Sequence, residues 1–416
     1  MPDSLDAVYA LIAAGLLSLV LVPLTMRLAK RWGAIDQPRA RSLHELPTPR
    51  LGGLGILAGV VVATLIWLPW DGETQAILAG ALLIAVVGAL DDIHDLSPAV
   101  KLLGQTVAVI IPVAAGVSVA DFNLPFIGRL IPGSVEVVGL PGEGAIDVGD
   151  VMTVIGIVGV INVINLIDGV DGLAAGVCAI SAITLAVIAL SLDRNAAGVL
   201  AALTAGACLG FLRYGFPPAR TFMGDTGSNL LGFLLGAIAV QGSLKTNAVV
   251  ALFLPLLVLT VPILDTGFVV AKRIKYRRPI YQADRSHFHH RLANIGFSQR
   301  RTLAYLYGWT TAMAALALAL RFVPYSDDRG NFDFFWLTVV LTFLFGAVAA
   351  SFYVVYVLEI LKLRRFRLGQ LRGTLRAAGG PEPEPEQVDE GVARELETGS
   401  FPVIDPRTGE FEAIRD

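Results

Sequence analysis

Uninterrupted apolar stretches of about 20 residues recur along this chain, the length an α-helix needs to cross about 30 Å of hydrocarbon. Of its 416 residues, 55% are hydrophobic and only 16% charged, where ordinary soluble domains carry about 25% charged residues. A soluble core cannot hide that much apolar surface, so lipid must serve as part of the solvent. The expected fold is an all-α polytopic membrane protein with about eleven spans. They fall at 5–26, 51–70, 75–91, 98–118, 149–166, 172–191, 196–213, 227–242, 246–271, 302–321 and 334–361. The first has no basic residues before it and no clear cleavage site, which reads as a retained span rather than a removed signal.

Lys and Arg set the orientation, because they accumulate in cytoplasmic loops. One set of alternate connections holds Arg27, Lys30, Arg31, Arg39, Arg41, Arg50 and the Lys272–Arg301 cluster, and the segment after the last span adds Lys362, Arg364, Arg365 and Arg367. The other set holds Arg129, Arg194, Lys245, Arg321 and Arg329. This bias puts the N-terminus outside and the C-terminus in the cytoplasm. The Gly- and Pro-rich segment from Asp121 to Asp150, with its β-branched run Val135–Val138, suggests a small external β-hairpin. The chain divides into a membrane domain, 1–361, and a segment 362–416. That segment is basic beside the membrane and then turns into GGPEPEPEQVDE, a composition that cannot bury enough to fold alone. Membrane lipids are expected partners and nucleic acid is not. Cys178 and Cys208 lie in apolar spans and read as small buried hydrophobes.

With that topology the unusual polar residues gather on one face. Asp91, Asp92 and Asp95 close the third span, and Asn162, Asn165, Asp168, Gly169, Asp171 and Gly172 close the fifth. Phe222-Met223-Gly224-Asp225 precedes the eighth, Asp265 lies near the end of the ninth, and Arg285, His287, His289, His290 and Arg291 share the largest loop. Carboxylates at membrane depth cost about 2.5–3.5 kcal/mol each on insertion scales and usually mark function. On a helix Asp91 and Asp95 share a face while Asp92 points about 100° away. Oxygen-only ligands suit Mg²⁺, or Mn²⁺ in its place; a solvated helix terminus is the plainer alternative.

The Asn162, Asn165, Asp168, Asp171 series recurs every third residue, and Gly169 and Gly172 let the backbone break and wrap a ligand. Amides and carboxylates suit nucleotide hydroxyls and base edges, although interhelical hydrogen bonding is the alternative. Phe222 could stack on a base, or simply anchor the interface. The His and Arg side chains of the large loop suit phosphates and proton transfer.

In order along the chain, DQPRARSLHELPTPRLGG, ALDDIHDLSPAVKLLGQ, NVINLIDGVDGLAAG, TFMGDTGSNLLGF and DRSHFHHRLANIGFS together resemble the polyprenyl-phosphate N-acetylhexosamine-1-phosphate transferase family, glycosyltransferase family 4, over about Asp36 to Ser298. HFHHRL followed by Gly-Phe-Ser, and Arg50-Leu51-Gly52-Gly53, look like the branch using UDP-N-acetylglucosamine. The branch acting on UDP-MurNAc-pentapeptide is the alternative, and a proton-coupled transporter is the alternative of another class. The resemblance implies a Mg²⁺-dependent enzyme of a bacterial inner membrane that transfers a sugar-1-phosphate from a UDP-sugar to polyprenyl phosphate, with its active site on the cytoplasmic face. It also suggests a homodimer and a role in lipopolysaccharide or teichoic acid synthesis.

By motif, the resemblance makes Asp91 the base on the lipid phosphate, Asp92 a phosphate- or metal-positioning residue, and Asp225 the metal ligand. It assigns Asn165, Asp168, Gly169 and Asp171 to the nucleoside pocket, Phe222 to the uracil, and the loop with His289 and His290 to the diphosphate. Arg50, Asn162, Arg285, His287 and Arg291 complete the expected substrate contacts. One departure stands out: Gly215 occupies a position where relatives commonly carry Asn.

Overall fold

The computed structural model describes residues 4–37, 47–119, 145–243 and 298–324, with shorter pieces at 122–124, 128–130, 133, 136–139, 259–260, 263–264, 267, 333–342, 344–349, 351, 403–404 and 411–412. The expected positions Asp265, Arg285, His287, His289, His290 and Arg291, most of the span 246–271 and most of the tail lie outside them.

Helices dominate: α1 Ser4–Trp32, α2 Gly53–Trp67, α3 Gly72–His94, α4 Pro98–Ala114, α5 Val148–Ile167, α6 Leu173–Ser191, α7 Asn195–Gly215, α8 Gly224–Ser243 and α9 Gln299–Phe322. A shorter apolar helix, α10, covers Phe334–Ala349. Six of the described helices are long and apolar enough to cross a membrane: α1, α3, α5, α6, α7 and α9. The chain is thus an all-α polytopic membrane protein.

Strands are short. β1 (Ile35–Asp36) pairs antiparallel with β2 (Thr48–Pro49), β3 (Phe122–Leu124) with β4 (Gly128–Leu130), and β5 (Glu136–Gly139) with β6 (Ala145–Asp147). The last two pairs fall in the segment where one hairpin was expected. In the tail, β7 (Val403–Ile404) pairs with β8 (Phe411–Glu412).

Boundaries follow local chemistry. Asp71 caps α3 by accepting the Thr74 N–H at 2.8 Å, and Asp147 and Asp150 form a reciprocal capping box on α5. Pro98 opens α4 at a position where its missing N–H costs nothing. α1 runs six residues past the expected end at 26, through Arg27, Lys30 and Arg31. Hydropathy reads where the hydrocarbon stops, whereas a helix continues as long as its backbone bonds are made.

Small residues set the packing. On α1, Ala7, Ala10, Ala14, Ser18, Val22, Thr25 and Ala29 are buried, one every three or four residues. Leu5, Val8, Ile12, Leu16 and Val20 on the same helix are exposed, as a lipid-facing surface would be. The buried stripe meets α7, where a Cβ on Gly206 would strike the Leu11 carbonyl. Such contact suits a membrane interior, where helices associate by close packing rather than by the hydrophobic effect. α8 packs against α3 on one side and α5 on the other. That wedge brings the ends of three helices together.

Candidate active site

The α3–α8 contact fixes the centre of the site. At Gly88 of α3 a Cβ would lie 2.6 Å from the Asp225 carbonyl oxygen and from the Thr226 backbone. The two backbones touch, and only glycine permits it. One turn later Asp92 reaches the first turn of α8. Its Oδ1 accepts the Asp225 N–H at 2.9 Å, and its Oδ2 accepts the Thr226 N–H at 3.0 Å and the Thr226 hydroxyl at 2.7 Å. Asp92 therefore caps a helix in another part of the chain, satisfying two of its orphan donors with a charge its dipole favours. Gly224, with φ +67°, makes the turn into α8, and a Cβ there would strike the Asp92 carboxylate.

Asp91, its neighbour, has different work. Its Oδ1 accepts the Leu96 N–H at 2.7 Å and its Oδ2 pairs with Lys101 of α4. Lys101 Nζ also lies 3.1 Å from Asp225 Oδ2, so one ammonium bridges two carboxylates from different helices. From α5, the Asn165 amide donates to Asp225 Oδ1 at 3.1 Å and to the Ser228 hydroxyl at 2.9 Å. Asp168, just beyond α5, is held well above the ordinary carboxylate range by burial and then by the charges of Asp225, Asp92 and Asp171. Asp95, expected to share a helical face with Asp91, instead ends α3 in the left-handed region at φ 51°.

These groups surround a cavity of about 340 Å³. Its wall includes Asp36, Asp91, Asp92, Asp95, Asp168, Asp171 and Asp225 but only two cations, Arg50 and Lys101, among the described residues. Arg50 pairs with Asp36. Even with Asp168 set aside, six carboxylates against two cations would repel a diphosphate at short range unless a further positive charge entered. The donors are oxygens, as a hard divalent cation requires. Among the described residues no three His, Cys, Asp or Glu side chains stand close enough to enclose an ion by themselves, but Asp225, Asn165 and Asp168 turn oxygen donors of the kind Mg²⁺ prefers to the cavity wall. Asp92, expected as a second ligand, has both oxygens committed to α8.

Gly169, Asp171, Gly172 and Phe222 also line the cavity. Phe222 is held by main-chain zippering to the segment before α2. Its N–H donates to the Pro49 carbonyl at 2.8 Å, and its carbonyl accepts the Gly52 N–H at 2.9 Å. Asp171 turns partly to structure, accepting the Ala219 N–H at 3.0 Å. Among the described residues, Asn162 is the expected one that does not line the cavity. It sits one turn earlier on α5 and donates to Gln105 and to the Val158 carbonyl, both at 2.8 Å. Gly215 lines the cavity, and a Cβ there would strike the Phe211 ring, so aromatic carbon fills the space an amide would need.

Lys101 lines the cavity and pairs with two of its carboxylates but was not among the expected site residues. A signal existed: it is the only Lys or Arg between Arg50 and Arg129, and it lies at the start of an apolar span beside an acidic cluster.

Comparisons with known proteins identify the family. The profile of the family described as "Glycosyl transferase family 4" matches residues 74–243. The chain is 38% identical to a Bacillus subtilis protein named "Probable undecaprenyl-phosphate N-acetylglucosaminyl 1-phosphate transferase", over 75% of this chain and 84% of that one. It is 35% identical to the "Decaprenyl-phosphate N-acetylglucosaminephosphotransferase" of Mycolicibacterium smegmatis, over 69% and 75%. A "Phospho-N-acetylmuramoyl-pentapeptide-transferase" of Desulforudis audaxviator is 34% identical over 74% of this chain and 97% of its own.

Proposed function

The chain belongs to glycosyl transferase family 4, and from that premise we propose that it transfers N-acetylglucosamine-1-phosphate from UDP-N-acetylglucosamine to undecaprenyl or decaprenyl phosphate. UMP is released and a lipid-linked envelope glycan is begun. The observation that carries this reading is the meeting of Asp91, Asn165, Asp168 and Asp225, from three helix ends, around one cavity. A transporter would be expected to carry such charges near span centres and on broken helices; here they sit at helix ends.

In the reaction, an oxygen of the polyprenyl phosphate attacks the β-phosphorus of the UDP-sugar. The bond from that phosphorus to the α,β-bridging oxygen breaks, and the electron pair leaves with UMP. Asp91 is the group to take any proton carried by the attacking oxygen, and Lys101 beside it offers charge to the phosphate. Phosphoryl transfer asks mainly for alignment and charge neutralisation. A Mg²⁺ ion held by Asp225, Asn165 and Asp168, or Mn²⁺ in its place, would supply that neutralisation on the transferred phosphate. Asp168, Gly169, Asp171 and Phe222 form the nucleoside end. The polyprenyl tail stays in the bilayer, so the enzyme must lie in it too. The reading takes eleven spans, an outside N-terminus and a bacterial inner-membrane location, an arrangement that would open this cavity to the cytoplasm, within reach of soluble UDP-sugars. Pairing of two copies follows only from the family resemblance.

The test is UMP release by the purified protein with polyprenyl phosphate and a panel of UDP-sugars that includes UDP-GlcNAc and UDP-MurNAc-pentapeptide. Release with UDP-GlcNAc supports the proposal. Release with the pentapeptide substrate alone would move the chain to the peptidoglycan branch, and release with no donor would remove the enzymatic reading.

A further inference from the structure

α9 meets the nucleoside end of the cavity at two points that no motif announces. The Tyr307 hydroxyl donates to the Gly172 carbonyl at 2.6 Å. Seven residues earlier, Arg300 donates through Nε and Nη2 to the Pro217 carbonyl at 3.4 and 3.3 Å. Between these contacts, Asp171 accepts the Ala219 N–H at 3.0 Å. The contacts close a ring: from Tyr307 to the Gly169–Gly172 turn, across to the 217–219 segment, and back through Arg300 to α9.

The fit at Tyr307 is specific. A Cβ on Gly176 would fall inside the Tyr307 ring, so that glycine makes room for it. Gly172 lies at φ +73° and begins α6 without a side-chain cap. Residues 168–172 all line the cavity yet belong to no regular element. A turn of this kind takes its shape from its external contacts, and an ordering cost not met by the fold falls on the ligand.

We propose that Tyr307 is a positioning residue for nucleotide binding, holding the Gly169–Gly172 turn in the shape that receives the uridine moiety. This rests on the UDP-sugar reading above. Tyr307 touches no reacting atom. Its loss weakens capture of the donor and leaves turnover at saturation nearly intact.

The experiment is equilibrium binding of UMP to the full-length protein in detergent, beside KM for UDP-GlcNAc, kcat and thermal unfolding. Tyr307→Phe keeps the ring and removes the hydroxyl. It should raise the Kd for UMP and the KM together by roughly three- to tenfold, the range for one lost hydrogen bond, with kcat within about twofold. Thr310→Val serves as the control. The Thr310 hydroxyl bonds the Leu306 carbonyl within α9 at 2.8 Å and makes no brace contact, so its loss should lower the melting temperature and leave the Kd alone. An unchanged Kd in Tyr307→Phe overturns the proposal, whatever happens to its stability. Should Tyr307→Phe not fold, Arg300→Gln reads the other corner, with weaker UMP binding expected and unchanged binding decisive against the brace. Failure of the wild-type protein to bind UMP at all would instead remove the functional reading, and the inference with it.

Discussion

The α1–α7 and α3–α8 seams use the same device to different ends. In both, a glycine lets one backbone touch another: Gly206 against Leu11, and Gly88 against Asp225 and Thr226. The first seam continues through small residues along α1 and stays apolar apart from Ser18 and Thr25. The second ends one turn later on Asp92, whose carboxylate fastens the start of α8. Close packing alone makes a stable pair of helices. Close packing that ends in a charged cap also delivers a chosen residue, Asp225, to a chosen place.

Substitutions on the two seams should separate these outcomes. The largest effect falls on the delivered residue: Asp225→Asn should cut UMP release by roughly 10²- to 10³-fold, the scale for losing one charge-stabilising group, while thermal unfolding stays near wild type. Comparable turnover in that variant would detach the seam from the chemistry. Asp92→Asn comes next. An amide has one acceptor oxygen and adds donors facing the N–H groups of α8, so activity should fall by about tenfold or more.

Gly88→Ala and Gly206→Ala form the sharpest pair. Each overpacks a seam at a cost of about 1–3 kcal/mol. Gly88→Ala should depress kcat in the protein that remains folded, whereas Gly206→Ala should lower the melting temperature and leave kcat of the folded fraction unchanged. Equal kcat losses in both would erase the distinction drawn here. The smallest effect is Thr226→Val, which removes one of three bonds to Asp92 and should lower kcat only severalfold, near 1 kcal/mol.

The sequence carried the helices well because hydropathy and length are local properties. The ends of α3, α5 and α7 fall within a few residues of their expected limits. Partners across helices were far less legible. Asn162 and Asn165 look alike in a three-residue repeat, yet only Asn165 reaches Asp225, because α5 turns away by one face between them. Asp91 and Asp92 are adjacent and chemically identical, and only the approach of α8 makes one a cap and leaves the other beside Lys101. Lys101 itself lies 124 residues from Asp225 in the chain, a separation over which spacing says nothing. Tyr307 resembled any aromatic in a membrane helix until its hydroxyl was seen on Gly172.

Metal binding without turnover tests the central claim most directly. Titrating purified protein with Mn²⁺ under electron paramagnetic resonance should show an ion that Mg²⁺ displaces. Asp225→Asn should lose it, and Thr226→Val should hold it more weakly, because the α8 start is less firmly set. Mn²⁺ bound as tightly by Asp225→Asn as by wild type would contradict the account, since the cation would then sit somewhere other than where three helix ends meet.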